Sequence, residues 1–201
     1  MLYCLWGGFT MLTALTIKDS EKFLRQVSKV VDFSDNNLSE NLRDIKEYCA
    51  SKDNLYALAC IQLGIPKRIV YIKSTKPNDT SANAEKDQVL MINPEILSKR
   101  GKTEFWEACV SGLDNFGLVE RPYEILVKFQ NEKGEEKQQL FEGFAATVVS
   151  HELDHLDGIF HMDRAKELIQ MPANERINFR NLHPYKIISK TCEFEYSDLE
   201  K

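Results

Sequence analysis

Residues 144–164 read Phe-Ala-Ala-Thr-Val-Val-Ser-His-Glu-Leu-Asp-His-Leu-Asp-Gly-Ile-Phe-His-Met-Asp-Arg. Phe144, Val148, His151 and His155 recur at spacings of four, three and four, which lines them along one stripe of a helix. The spacing predicts a helix from about Phe144 to Leu156, ended by Asp157-Gly158. His151 and His155, at i and i+4, can both reach one divalent ion, while Glu152, a third of a turn round, meets the water that such an ion activates. This is the pattern of a metal-dependent hydrolase.

A catalytic metal keeps one coordination position open beside three protein ligands, so a further ligand should come from elsewhere in the chain. His161 is near in sequence but follows His155 at no recognised third-ligand spacing. Cys109 is the better candidate, in Trp106-Glu107-Ala108-Cys109-Val110-Ser111, between two strand-like segments whose extended backbone can present a thiolate to the helix. Taken alone, Cys109 reads more readily as a small buried hydrophobe, as do Cys4, Cys49, Cys60 and Cys192.

Working outward, Asp19 and Ser20 can cap a helix carrying Phe23, Leu24, Val27, Val30 and Val31, and Leu38, Leu42, Ile45 and Cys49 mark a second. Residues 68–72 (RIVYI) read as a strand, 74–88 as a polar surface-loop insertion, and VLMI after it as a short strand. Tyr123–Gln130 and Glu135–Glu142 flank the turn NEKG and predict a hairpin. Beyond Arg164 comes a charged segment of helical tendency, broken near Pro172 and Pro184.

The 201 residues suit a single domain, and 43% hydrophobic with 28% charged residues excludes disordered and repeat chains. With 26 basic against 31 acidic residues and a net charge of −5, no overall cationic surface awaits nucleic acid. Five cysteines, an odd number without a CxxC pair, fit a reducing cytosol better than a disulfide framework. The apolar start, MLYCLWGGFTMLTAL, is interrupted by Gly7, Gly8 and Thr10 and is too short to span a membrane.

These motifs resemble the peptide deformylase family, which carries three ordered motifs of the form GxGxAAxQ, EGCLS and HExxH. Here the second is EACVS at Glu107–Ser111 and the third is HELDHLDGIFHMDR at His151–Arg164, with MINPE at 91–95 and Arg121 in family order. The first aligns with Leu55–Gln62, where Ala59 and Gln62 match, Leu55 and Ala57 replace glycines, and Cys60 replaces an alanine. Ala108, Val110 and Ser150 are further departures around the groove.

The resemblance implies an α+β fold with small antiparallel or mixed sheets packed around a central HExxH helix. It covers a catalytic domain at 12–165, beside which residues 1–11 read as a leader, since Met11 opens a more ordinary start, and 166–201 as a C-terminal appendage. It also implies metal ligation by Cys109, His151 and His155, with Fe(II) as the physiological ion and Zn, Ni or Co able to substitute. Glu152 becomes the acid/base, and the Gln62 amide with the Val110 N–H become oxyanion donors. The implied substrate is an extended N-formyl-methionyl peptide of nascent chains from the ribosome, with Tyr56, Ala57, Thr147 and Val148 at its pocket. No membrane or nucleic-acid partner is implied, and the location is the cytoplasm, or an organelle in a eukaryote. Three functions stay open on sequence: a working deformylase, a deformylase-like metal or peptide-binding protein of weak or lost turnover, and a zincin-type peptidase supported by HExxH alone.

Overall fold

Among the described residues, eight strands pair antiparallel through one connected network, and five α-helices pack on it. The computed structural model describes residues 12–53, 55–73 and 88–196. The expected leader at 1–11 and nearly all of the expected loop at 74–88 lie outside them.

Helix α1 spans Ile17–Leu24 and α2 spans Leu38–Ala50. Leu38, Leu42, Ile45 and Cys49 are all buried, as their spacing predicts. The first helix is shorter than its apolar pattern suggests. Val27 and Val30 are 67% and 73% exposed, because the chain leaves the helix after Leu24 and spends its backbone bonds elsewhere. Ser28 N–H donates to Leu156 O and Lys29 N–H to Pro66 O. Tertiary partners therefore outcompete the next helical turn.

Strand β1 (Ala57–Ala59) pairs with β2 (Ile69–Ile72), and β2 with β3 (Val89–Ala108). The expected short strand VLMI is in fact the start of this 20-residue strand. β3 is long because it serves several partners in turn: β2, then β5 (Glu124–Gln130), then β4 (Asn115–Arg121). Its register shifts between Ile92 and Glu95, where Asn93 takes a positive φ of 52° and Pro94 follows. The Asn93 side chain holds the irregularity, accepting from Val31 N–H at 2.7 Å and donating to Val31 O at 3.1 Å.

β5 and β6 (Glu136–Glu142) form the expected hairpin, turned at Gly134. Helix α3 (Phe144–Leu156) follows at once, and every residue from Ala146 to Leu156 is buried. Ala146, Val148, Val149, Leu153 and Leu156 join Ala57, Ala59, Val70, Ile72, Ile125 and Val127 in one apolar core. A second core, under α2, gathers Leu58, Ile69 and Tyr71 from the opposite faces of the same strands, with Cys60 from the turn after β1.

After the short α4 (His161–Arg164), residues expected to be helical form β7 (Ala165–Gln170) on the outer edge of β4. The unpaired edge of β4 overrides the weak local preference. Helix α5 (Ala173–Leu182) lies between the two prolines, and β8 (Lys186–Glu193) returns to pair with β3. No described helix is long and apolar enough to cross a membrane.

Candidate metal centre

Strand β3 delivers Cys109 at its end, and α3 delivers His151 and His155 on one face. One ligand atom from each of these three residues lies within 4.8 Å of the others. Cys109 Sγ is 3.1 Å from His155 Nε2, and the two imidazole centroids are 5.0 Å apart. The turn after Cys109 is tight, with Gly112 N–H donating to Cys109 O. A Cβ at Gly112 would lie 2.9 Å from the His161 ring, so only glycine lets the cysteine turn close on that histidine.

His151 is aimed by a residue that sequence reasoning assigned no role. Its Nδ1 lies 2.7 Å from Glu107 Oε2, which leaves Nε2 for a ligand. Glu107 is in turn held by Arg121 through two bonds of 2.8 and 2.9 Å, and Arg121 also donates to Asp154 of α3. Asp154 takes a further pair of bonds, both 2.7 Å, from Arg164. Burial alone would raise the Glu107 carboxyl, yet the Arg121 charge and hydrogen bonds hold it far below the ordinary carboxylate range. The available signal was position: Glu107 starts the cysteine motif, and on a strand it stands two residues before the ligand.

Burial tends to discharge His151, but contacts with Cys109 and Glu107 outweigh it and push its pKa well up. His155 is driven the other way, first by burial and then by the charge on His151. A cation held by the thiolate and the two ring nitrogens would replace that proton, which is the chemistry expected of this donor set. Glu152 is 6% exposed, and its Oε2 has no hydrogen-bond partner among the described residues. Burial pushes its carboxyl up to about 7. An orphaned buried carboxylate oxygen beside the ligand cluster fits a site that receives water next to a metal.

Gln62 sits in the short 3-10 turn Cys60–Leu63 after β1. Its Oε1 accepts from Ala59 N–H at 3.0 Å, so its Nε2 points to Cys109 Sγ at 3.3 Å and Ser111 Oγ at 3.1 Å. Val110, beside the cysteine, is 42% exposed. His161, weighed as a ligand from sequence, stands outside the three-atom group. It stacks on His151 at 5.7 Å and bonds through Nε2 to Asn115 O at 3.2 Å, and burial takes its pKa down to about 4.

Of the four expected pocket residues, Tyr56 packs edge-on to Phe144 at 5.7 Å and Val148 lies on the same helix stripe. Thr147 is buried, 3.4 Å from Thr103 between hydroxyl oxygens. Ala57 is 4% exposed and belongs to the core under α3. Cys49 and Cys60 are far from any such role: both are buried free thiols, and burial pushes Cys49 up to about 12 and Cys60 higher.

The polypeptide deformylase family model matches residues 14–170. A peptide deformylase of Bartonella tribocorum is 38% identical over 157 residues, covering 76% of this chain and 83% of that protein. Among solved structures, a probable peptide deformylase from Synechococcus phage S-SSM7 is 38% identical with a TM-score of 0.64, covering 77% of this chain and 99% of that one. A Met-Ala-Ser-bound class I type b peptide deformylase from Acinetobacter baumannii is 29% identical with a TM-score of 0.66, covering 77% and 98%. The match takes in both histidines, the cysteine and the strands that bring them together, and on it this chain belongs to the peptide deformylase family.

Proposed function

We propose that the protein is a metal-dependent deformylase that removes the N-formyl group from formyl-methionyl peptides of nascent chains. The observation that carries this reading is the convergence of Cys109, His151 and His155 within 4.8 Å beside buried Glu152. These three residues would hold one divalent ion. Fe(II) is the ion implied by family resemblance, and the same donors accommodate Zn, Ni or Co. Bound there, the metal supplies Lewis acidity to the reacting carbonyl and to water.

The chain's own groups perform the rest. Glu152 takes a proton from the attacking water, and the water oxygen bonds to the formyl carbon. As the carbon–nitrogen bond breaks, Glu152 returns the proton to the departing amine, and formate leaves. Gln62 Nε2, fixed by the Ala59 N–H on its other end, and the Val110 N–H donate to the oxyanion. The peptide lies extended between the Tyr56–Ala57 segment and the end of β3, with its first side chain among Tyr56, Thr147 and Val148. Four free cysteines among the described residues suit a reducing compartment such as the cytoplasm.

The deciding experiment is steady-state kinetics on formyl-Met-Ala-Ser and on an internal peptide bond, with iron loaded anaerobically. Release of formate without internal cleavage is the expected result. Internal cleavage would favour a peptidase, and metal binding without turnover a binding protein. Two variants refine the assignment. Cys109→Ala should lose most of the metal that the native protein carries at near one per chain, read by elemental analysis, and full occupancy would exclude Cys109 as a ligand. Gln62→Leu should lower kcat by roughly 10² if one oxyanion donor is lost. A change confined to KM would instead make Gln62 a peptide-positioning residue.

A further inference from the structure

The C-terminal segment, beyond residue 170 where the family match ends, packs on β3 within a few residues of Cys109. β8 runs along β3 with Thr103 opposite Ile187 and Glu104 opposite Lys186. That register sets Tyr185 beside Phe105, four residues before Cys109. Tyr185 packs on Phe105 at 5.9 Å and on Phe144 at 5.7 Å between ring centroids. Phe144 also meets Tyr56 at 5.7 Å and Phe105 at 5.3 Å, so its ring is bordered by aromatics from three other segments. Phe144 begins the helix stripe that continues through Val148 to His151. Tyr185 therefore stands at the end of this apolar stripe remote from the metal.

The segment is built in rather than draped. Arg180 donates to the Trp106 carbonyl through two nitrogens, at 3.0 and 2.8 Å, and its guanidinium lies 4.9 Å from the Phe105 ring centre. Phe179 packs edge-on to Trp106 at 5.0 Å and Phe116 at 5.6 Å. Where β8 crosses Gly101, a Cβ would fall 2.7 Å from Ser189 O, an approach that only glycine permits. The Tyr185 hydroxyl is buried and faces the hydroxyls of Thr103 and Thr147.

We propose that Tyr185, held by β8 and the Arg180 clamp, is a specificity-determining residue that closes the far end of the pocket for the first side chain of the peptide and so sets its depth. The proposal rests on the deformylase reading of the groove. A pocket ended by a ring admits a side chain of methionine length and rejects a longer one, because extra methylenes would have to displace the ring or stay in water.

The test compares two substrates, formyl-norleucyl-Ala-Ser and its 2-aminooctanoyl counterpart, whose side chain is two methylenes longer. In Tyr185→Ala the kcat/KM ratio of the longer to the shorter substrate should rise about tenfold, the worth of burying those methylenes. Tyr185→Leu, a milder change that preserves the apolar packing, should raise it roughly threefold. Calorimetric affinities of the two unformylated peptides are read in parallel and should shift in the same ratio. An unchanged ratio in folded protein overturns the proposal, as does an equal rise or fall for both peptides, which would make Tyr185 a plug or a packing residue. If the native protein releases no formate yet the affinity ratio shifts as expected, the deformylase reading fails while the role of Tyr185 stands.

Discussion

Glu152→Gln is expected to lower kcat by a factor of about 10² or more while leaving metal content and fold intact. Glutamine nearly matches the shape of glutamate but cannot take the proton from water or return it to the amine. The site gives little room for a substitute, since Glu152 is 6% exposed and its Oε2 has no partner among the described residues. Burial, which pushes this carboxyl up to about 7, also makes it a competent proton carrier near neutrality. Formate release by Glu152→Gln is measured beside its metal content and circular dichroism. An unchanged kcat would remove Glu152 from the reaction, and a variant that loses its metal would make it a positioning residue for the ligands.

Arg121→Met should cost about 3 to 5 kcal/mol of stability, or on the order of 10 °C in melting temperature. Arg121 is fully buried and pairs with Glu107 through two bonds while also reaching Asp154. Methionine fills the volume but leaves the Glu107 carboxylate buried without its counter-ion. The double variant Arg121→Met/Glu107→Gln removes that stranded charge and should recover part of the loss. No recovery would show that the guanidinium acts through packing alone.

The pH dependence has a defined sign. Glu107 is held below its ordinary value of 4.5, so its contribution is fully present above that pH and fades as pH falls toward the depressed folded value. The stability gap between the native protein and Glu107→Gln should therefore be full above pH 4.5 and narrow as the melts move to the acid side. Because Glu107 also orients His151 Nδ1, the Arg121 variant should bind metal more weakly.

The local parts of this site are legible in one dimension. Histidines four apart share a helix face whatever surrounds them, and the helix Phe144–Leu156 and the hairpin before it follow from period and turn chemistry. The cysteine motif is legible only by likeness to a family, since a lone cysteine just past a strand end carries no period. The partner of His151 is not legible at all: Glu107 lies 44 residues away, and its link to Arg121 exists only because β3 and β4 pair in register.

The mistaken elements share one cause. Val27 and Val30 carry a helical pattern, yet a chain segment that can bond Leu156 and Pro66 leaves the helix and exposes them. Residues 165–170 lean toward helix, yet the free edge of β4 takes them as a strand. By itself the sequence determined which residues face together within one turn or one strand, because backbone geometry sets those periods. Tertiary structure alone decided the length of β3, the course of β7 and β8 and the Glu107–Arg121–Asp154 network. The reason is physical: unpaired strand edges and buried charges are satisfied by whichever segment the whole fold brings to them, and no local pattern encodes that choice.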